Sequence, residues 1–276
     1  MKFDRYKVQS KFESYIGCNN PEELKQYKEK FENLQLTSAR VNELIEDLKC
    51  DSKGCFFKGI HSLCEALSSI EKGNYSWSIV KIYYASFYLI RCLLATEGYS
   101  IVKCCGVFIL KLKVNEKPKS LKGRGGEHPQ IIDEYKKLMS SKDPLLRNTV
   151  DGDGKTSIYD YLKEMREIVH YREPFFREPQ NDFFENFSSS GEFKEKVKDY
   201  FKDYFKDSYN DDMALCFQTP YCLLSAPIFL LNYTNNKLSK FLDKAIILNK
   251  EQSDVIKTLI LPLGLEQLFK EKCLIY

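Results

Sequence analysis

WSIVKIYYASFYLIRCLLATEG, Trp77 to Gly98, is apolar almost all the way round a helical wheel. A surface helix carries one apolar stripe and one polar face; a helix apolar on every side has to be covered on every side. The stretch therefore predicts a central, buried helix of an all-α protein, with Gly98 as its stop. At about 100° per residue, Val80, Tyr84, Phe87, Arg91 and Leu94 share one stripe. Arg91 then sits among aromatic and aliphatic neighbours, where a guanidinium needs a partner to offset its lost hydration. Two readings stand: a structural arginine held by an ion pair or hydrogen bonds, or a binding residue that reaches the same cleft as His170.

Outward from this helix the periodicity stays helical. Upstream, NNPEELKQYKEKFENL opens on Asn20 as a cap, with Pro21 at the first helical position and Glu23 in the first turn. SARVNELIEDLK sets Val41, Leu44, Ile45 and Leu48 on one face. Ser52, Lys53 and Gly54 read as a break before a further helix that starts at Phe56 and ends near Ile70. Downstream, VFILKLKV (Val107–Val114) alternates enough for a short strand, and NEKPKSLKGRGGEHP (Asn115–Pro129) reads as a long loop. Helical pattern resumes at QIIDEYKKLM and again from Ser157 to Glu173, with Pro174 and Pro179 as stops. In EFKEKVKDYFKDYFKDSY, the residues Phe193, Val197, Tyr200, Phe201, Tyr204 and Phe205 form a stripe better suited to core packing than to base stacking. The expected organisation is an N-terminal helical extension (1–54), a helical core (55–177) holding a basic loop at 103–129, and a C-terminal helical region (178–276) packed on that core.

EMREIVHYREP (Glu164–Pro174) holds one of the three histidines of the chain. Ile158, Leu162, Met165 and Val169 recur with helical spacing and make a core-facing stripe. Tyr159, Lys163, Arg166 and His170 then line one edge of the same helix, at the boundary between core and solvent. Arg166 and His170 lie one turn apart, so both reach one phosphate or one carboxylate. A histidine titrates in the range of acid–base work, and an arginine fork suits a phosphate. The competing reading is structural: His170 ends a helix before Pro174, and Arg166 pairs with Glu167, Glu173 or another acid.

Together the two stretches resemble the HEPN superfamily. SIVKIYYASFYLIRCLLATEGY is similar to the second long helix of those proteins, where aromatic and small residues lead to an Arg, a Leu pair and a glycine. LKEMREIVHYREPFF is similar to their last core helix, with an Arg before a His or Asn and a following Tyr-Arg pair, here Tyr171 and Arg172. The resemblance covers Phe56 to Phe176. It implies an up-and-down helical bundle, often dimeric. Many members are metal-independent endoribonucleases of toxin–antitoxin, abortive-infection and antiviral systems, while others serve as binding or scaffold domains. It makes Arg166 and His170 the candidate catalytic pair. Active members space the Arg and the His by four to six residues; here three intervene. A catalytically inactive subunit acting through protein contact, or a nucleotide-sensing helical domain, therefore stands as the alternative.

Charge adds a second candidate region. The formal net charge is only +3, which excludes a wholly basic coat. Lys103 to Arg124 nonetheless carries seven basic residues against one acid, Glu116. RNA phosphates are the natural partner of Lys117, Lys119, Lys122 and Arg124. His128 follows in GRGGEH, whose glycines permit close backbone approach to a phosphate but lack the Lys-Ser/Thr ending of a nucleotide-binding loop. A mobile solvated loop is the alternative.

Ten cysteines without repeated spacing, and an opening MKFDRYKVQSKFESY without an apolar run, suggest free thiols in a reducing cytoplasm. Cys50, Cys55, His61 and Cys64 match no common zinc module, so no metal or other cofactor is expected. Met213 to Asn236 is uncharged and long enough to span a membrane, but Pro220 and Pro227 should break it into buried pieces. The expected partners are RNA, a second copy of the chain, and a cognate antitoxin or defence-system protein, with no membrane.

Overall fold

In the computed structural model, which describes residues 5–123, 125–178, 180–205 and 217–276, ten α-helices carry most of the chain and a small sheet interrupts them. The helices are α1 (Lys7–Tyr15), α2 (Lys28–Asn33), α3 (Ser38–Glu71), α4 (Tyr75–Thr96), α5 (Glu127–Met139), α6 (Ile158–Glu167), α7 (Ser190–Tyr204), α8 (Cys222–Leu242), α9 (Lys250–Ile260) and α10 (Glu266–Glu271). Between α4 and α5 lie β1 (Tyr99–Lys103), β2 (Val107–Lys111) and β3 (Lys119–Ser120). The chain divides into two compact units, 1–55 with 90–138, and 56–89 with 139–276. Helices α3 and α4 contribute residues to both.

The apolar helix behaves as its composition dictates. Of α4, the side chains Ile79, Val80, Ile82, Tyr83, Ala85, Phe87, Leu89, Ile90, Cys92, Leu93, Leu94 and Ala95 are all buried. It is long and apolar enough to cross a membrane, yet most of it is covered by the protein itself. Gly98 follows it at φ +73°, a conformation that costs glycine least.

Helix α3 corrects the reading of Ser52–Gly54 as a break. It runs unbroken for 34 residues. The Ser52 hydroxyl donates back to the Lys49 carbonyl, 2.8 Å away, and the flanking Leu48, Cys55 and Phe56 are buried. An interior glycine costs a helix about 1 kcal/mol, and burying even one large apolar side chain recovers about 1.5–3 kcal/mol. Packing outweighs propensity.

In the first unit, Asp51 accepts from the backbone N–H groups of Lys7 (2.7 Å) and Val8 (3.0 Å) and so caps α1 from the middle of α3. Gln9 pairs its side-chain amide with the backbone of Lys103, accepting at 2.7 Å and donating at 3.0 Å, which fixes β1 against α1. Antiparallel β1 and β2 are in register at Ile101↔Ile109. The hairpin therefore begins eight residues earlier than the alternation at Val107 suggested. Its turn, Cys104 to Gly106, holds Cys105 at φ +53°. Phe108 meets Phe31, and Phe31 meets Phe12, at centroid distances of 5.4 and 4.9 Å. Asn20 caps its segment through the Glu22 N–H, but the turn that follows, Pro21–Tyr27, is a 3-10 helix and only Lys28–Asn33 is α.

In the second unit, α3 and α4 approach closely where α3 has no side chain. A Cβ on Gly59 would lie 2.9 Å from Leu89 Cγ and 3.4 Å from the Ala85 carbonyl. The α7 stripe Phe193, Val197, Tyr200, Phe201, Tyr204 and Phe205 is buried as core. Tyr204 meets Phe229 of α8 edge-on at 6.0 Å, and Phe201 meets Phe269 of α10 at 5.0 Å. Pro227 does not break the uncharged segment. It lies in the second turn of a continuous α8, while Pro220 precedes that helix; residues 213–216 are outside the described residues.

Gly59 supplies a test of this packing. A helical Gly→Ala change ordinarily gains about 1 kcal/mol. Leu89 is fully buried and has no room to yield, so Gly59→Ala is expected to be destabilising instead, by about 1–3 kcal/mol in denaturant titration.

Candidate nucleic-acid interface

Helix α6 starts cleanly and ends irregularly. Ser157 accepts from the Asp160 N–H, and Ile158 and Leu162 turn into the core. The helix then widens into a π turn, Ile168–Arg172, closed by the Glu173 N–H on the Ile168 carbonyl at 3.0 Å. A π turn bonds i to i+5 instead of i+4 and recurs at functional sites. It also changes which side chains are neighbours. Arg166 donates to the Tyr171 hydroxyl at 3.0 Å, and Arg172 meets Glu167 at 3.5 Å, both five residues apart. The one-turn neighbour expected for Arg166, His170, is replaced in that contact by Tyr171.

His170 is exposed. Its ring lies 5.8 Å from Trp77 and 4.5 Å, edge-on, from Tyr171. Arg166 is half-buried, with its guanidinium over the faces of Tyr83 (5.3 Å) and Tyr171 (4.9 Å). Burial pushes the Tyr83 hydroxyl up to about 12, against the opposing pull of Arg166. The acids expected to neutralise Arg166 are engaged elsewhere. Glu167 lies 4.0 Å from Lys163 and 3.5 Å from Arg172, and Glu173 pairs with Arg177. Among the described residues Arg166 has no acid partner, and its Nε is buried without a hydrogen bond.

The chain after the π turn is pinned to the start of α4. Glu178 accepts from the Ser76 N–H at 2.6 Å and from its hydroxyl at 2.8 Å. Ser76 stands in the first turn of α4, where N–H groups lack helical partners and a carboxylate is favoured. This tie sets Phe176 6.1 Å from Trp77. Trp77, Tyr171, Phe175 and Phe176 are all exposed, at 43%, 64%, 74% and 51%. A cleft of about 550 Å³ opens there, lined by Ser69, Asn74, Trp77, Lys81, Phe176 and Glu178. Sequence reading missed Trp77, Lys81 and Phe176, because a buried-helix pattern hides which end of the helix is bare.

The other candidates fall in several places. Tyr159 is not on the solvent edge: it is 2% exposed, and its hydroxyl donates to the buried carboxylate of Asp143. Asp143 in turn caps the turn at Leu145 (2.9 Å). Arg91 belongs to the first unit, stacked over Tyr6 at 4.3 Å beside a small cavity lined by Asp51, Ser52, Cys55 and Ser100. Also in the first unit, Lys117 and Lys122 are exposed, Lys119 meets Glu134 at 3.1 Å, and His128 is half-buried in the first turn of α5. Arg124 lies outside the described residues. Cys50, Cys55, His61 and Cys64 are spread over fifteen residues of continuous helix, about 21 Å from first to last. No metal-holding group of three such side chains occurs among the described residues.

A family model described as HEPN domain matches residues 53–204, more than half of the chain. No curated protein matches, and no solved structure matches.

Tyr159→Phe should separate scaffold from site. It strips the buried Asp143 carboxylate of a donor, so stability is expected to fall by about 1–3 kcal/mol in thermal or denaturant unfolding. Ligand binding at the π-turn face of the folded protein should not change.

Proposed function

The chain belongs to the HEPN family, and from that footing we propose that it acts on single-stranded RNA at the face formed by the π turn and the start of α4, as a metal-independent endoribonuclease. The observation that carries this reading is the Arg166 guanidinium, without an acid partner among the described residues, and the exposed His170, both against Tyr171. Its acidic neighbours are committed to Lys163, Arg172 and Arg177, which leaves the terminal N–H groups not given to Tyr171 for a phosphate.

The chemistry follows from those two groups. His170 takes the proton from a ribose 2′-hydroxyl, which attacks the adjacent phosphorus. Arg166 carries the charge that develops on the phosphorane oxygens. The 5′-oxygen leaves and takes its proton from solvent water, and the other product ends in a 2′,3′-cyclic phosphate; the imidazolium of His170 then returns its proton to solvent. Arg172 and Lys163 add positive charge along the same edge, and exposed Lys117 and Lys122 offer further phosphate contacts. On the family resemblance we place this activity in an intracellular defence or toxin–antitoxin setting.

A second reading is favoured by the four exposed aromatic residues, since apolar exposure of this kind also suits protein docking. In that reading the protein is a silent HEPN subunit.

Purified protein in excess EDTA, incubated with end-labelled single-stranded RNA, distinguishes the two. Cleavage is expected to persist in the chelator and to fall by about 10²–10⁴-fold in His170→Ala, with an unchanged melting temperature. Arg166→Lys should also be strongly impaired, because a point charge does not replace a planar fork. Absence of cleavage, or equal cleavage by His170→Ala, would favour the silent subunit.

A further inference from the structure

The cleft between Trp77 and Phe176 is built unlike the rest of the exposed surface. Two aromatic rings form its walls, with centroids 6.1 Å apart and planes at 50°. Polar groups edge it. Lys81 spends one ammonium hydrogen on Glu65 (3.1 Å) and one on Ser69 (2.7 Å), which leaves a third donor. Glu178 is held by Ser76 through both oxygens, and each oxygen keeps a further lone pair. Asn74 is exposed at the rim. The volume, about 550 Å³, falls within the range of small-molecule sites.

From this arrangement we infer that the cleft is a base-recognition subsite, which clasps an unpaired guanine between Trp77 and Phe176. A flat base between two rings needs them about 7 Å apart, two van der Waals contacts of about 3.5 Å. The observed separation is short of that by about 1 Å and the planes stand 50° from parallel, so a base enters only as the exposed Phe176 side chain turns aside. Stacking alone accepts any base. The edge groups select. Guanine presents a carbonyl oxygen beside ring and exocyclic N–H donors, which matches the Lys81 ammonium next to the Glu178 carboxylate. Adenine presents one amino donor beside a bare ring nitrogen, so even turned over in the clasp it offers one bond to each group, against the three that guanine offers. Trp77 also touches His170, so a base clasped here brings its own ribose to the candidate proton acceptor. The inference rests on the RNA reading for the parent of the base, but mononucleotide binding tests it without any cleavage step.

Trp77 is the only tryptophan of the chain, so its fluorescence reports the cleft directly. The full-length protein, titrated with 5′-GMP and separately with 5′-AMP, is expected to show quenching by GMP at several-fold lower concentration than by AMP. Phe176→Ala should weaken the GMP response roughly tenfold, the scale of one lost base–aromatic stack. Phe176 is half-exposed, so its truncation leaves the core intact, which circular dichroism checks. Lys81→Met should bring GMP down to the level of AMP. No quenching by either nucleotide, AMP binding as tightly as GMP, or an undiminished GMP response in Phe176→Ala would overturn the subsite. RNA cleavage dependent on His170 with no GMP quenching would sink this inference alone; GMP quenching without cleavage would sink the nuclease reading alone.

Discussion

The arrangement depends on covering α4. A helix with apolar side chains on every face is stable in water only when each face is against protein. The second unit meets that demand along Tyr75–Leu89, and the first along Ile90–Thr96. A close approach, at Gly59 against Leu89 and Ala85, exists because α3 omits a side chain there. In the first turn of α4 one large side chain, Trp77, escapes cover. That turn has its own constraint: N–H groups that no helical carbonyl can take. Glu178 satisfies one of them at Ser76 and thereby fastens the loop carrying Phe175 and Phe176 beside Trp77. A requirement of helix termini thus places the aromatic cleft.

The π turn does corresponding work at the end of α6. By inserting one residue into the turn it makes Arg166 a neighbour of Tyr171 and Glu167 a neighbour of Arg172. The second exchange is electrostatic in effect. Glu167 is drawn to Arg172 and Lys163, Glu173 to Arg177, and among the described residues no carboxylate pairs with Arg166. Aromatic faces hold its guanidinium in place without neutralising it. A buried Nε without a partner is a cost the fold carries at this position, and such costs concentrate where a ligand completes the bonding.

Much of this was legible in the residues, and the exceptions share a cause. The burial of α4, the stop at Gly98, the cap at Asn20, the helix start at Ser157 and the α7 core stripe all follow from local periodicity or local hydrogen bonding. HEPN membership was legible in Ser78–Tyr99 and Leu162–Phe176 and is carried by the family match. What escaped was decided by partners distant in sequence. Ser52–Gly54 is helical because its flanks are buried. Tyr159 turns inward because Asp143, sixteen residues earlier, needs a donor. Asp51 caps a helix that begins at Lys7. The π turn leaves no trace in composition, so a regular wheel set His170 rather than Tyr171 against Arg166. Exposure of Trp77 was hidden by the apolar run it opens.

The central claim is that RNA meets the face formed by the π turn and the first turn of α4. Ultraviolet cross-linking of the full chain to 4-thiouridine-substituted single-stranded RNA, with the attached peptides identified by mass spectrometry, addresses it directly. The account predicts adducts at Trp77, His170, Tyr171 or Phe176, competed away by unlabelled RNA. Adducts confined to other parts of the chain, or none above a non-binding control protein, would contradict it.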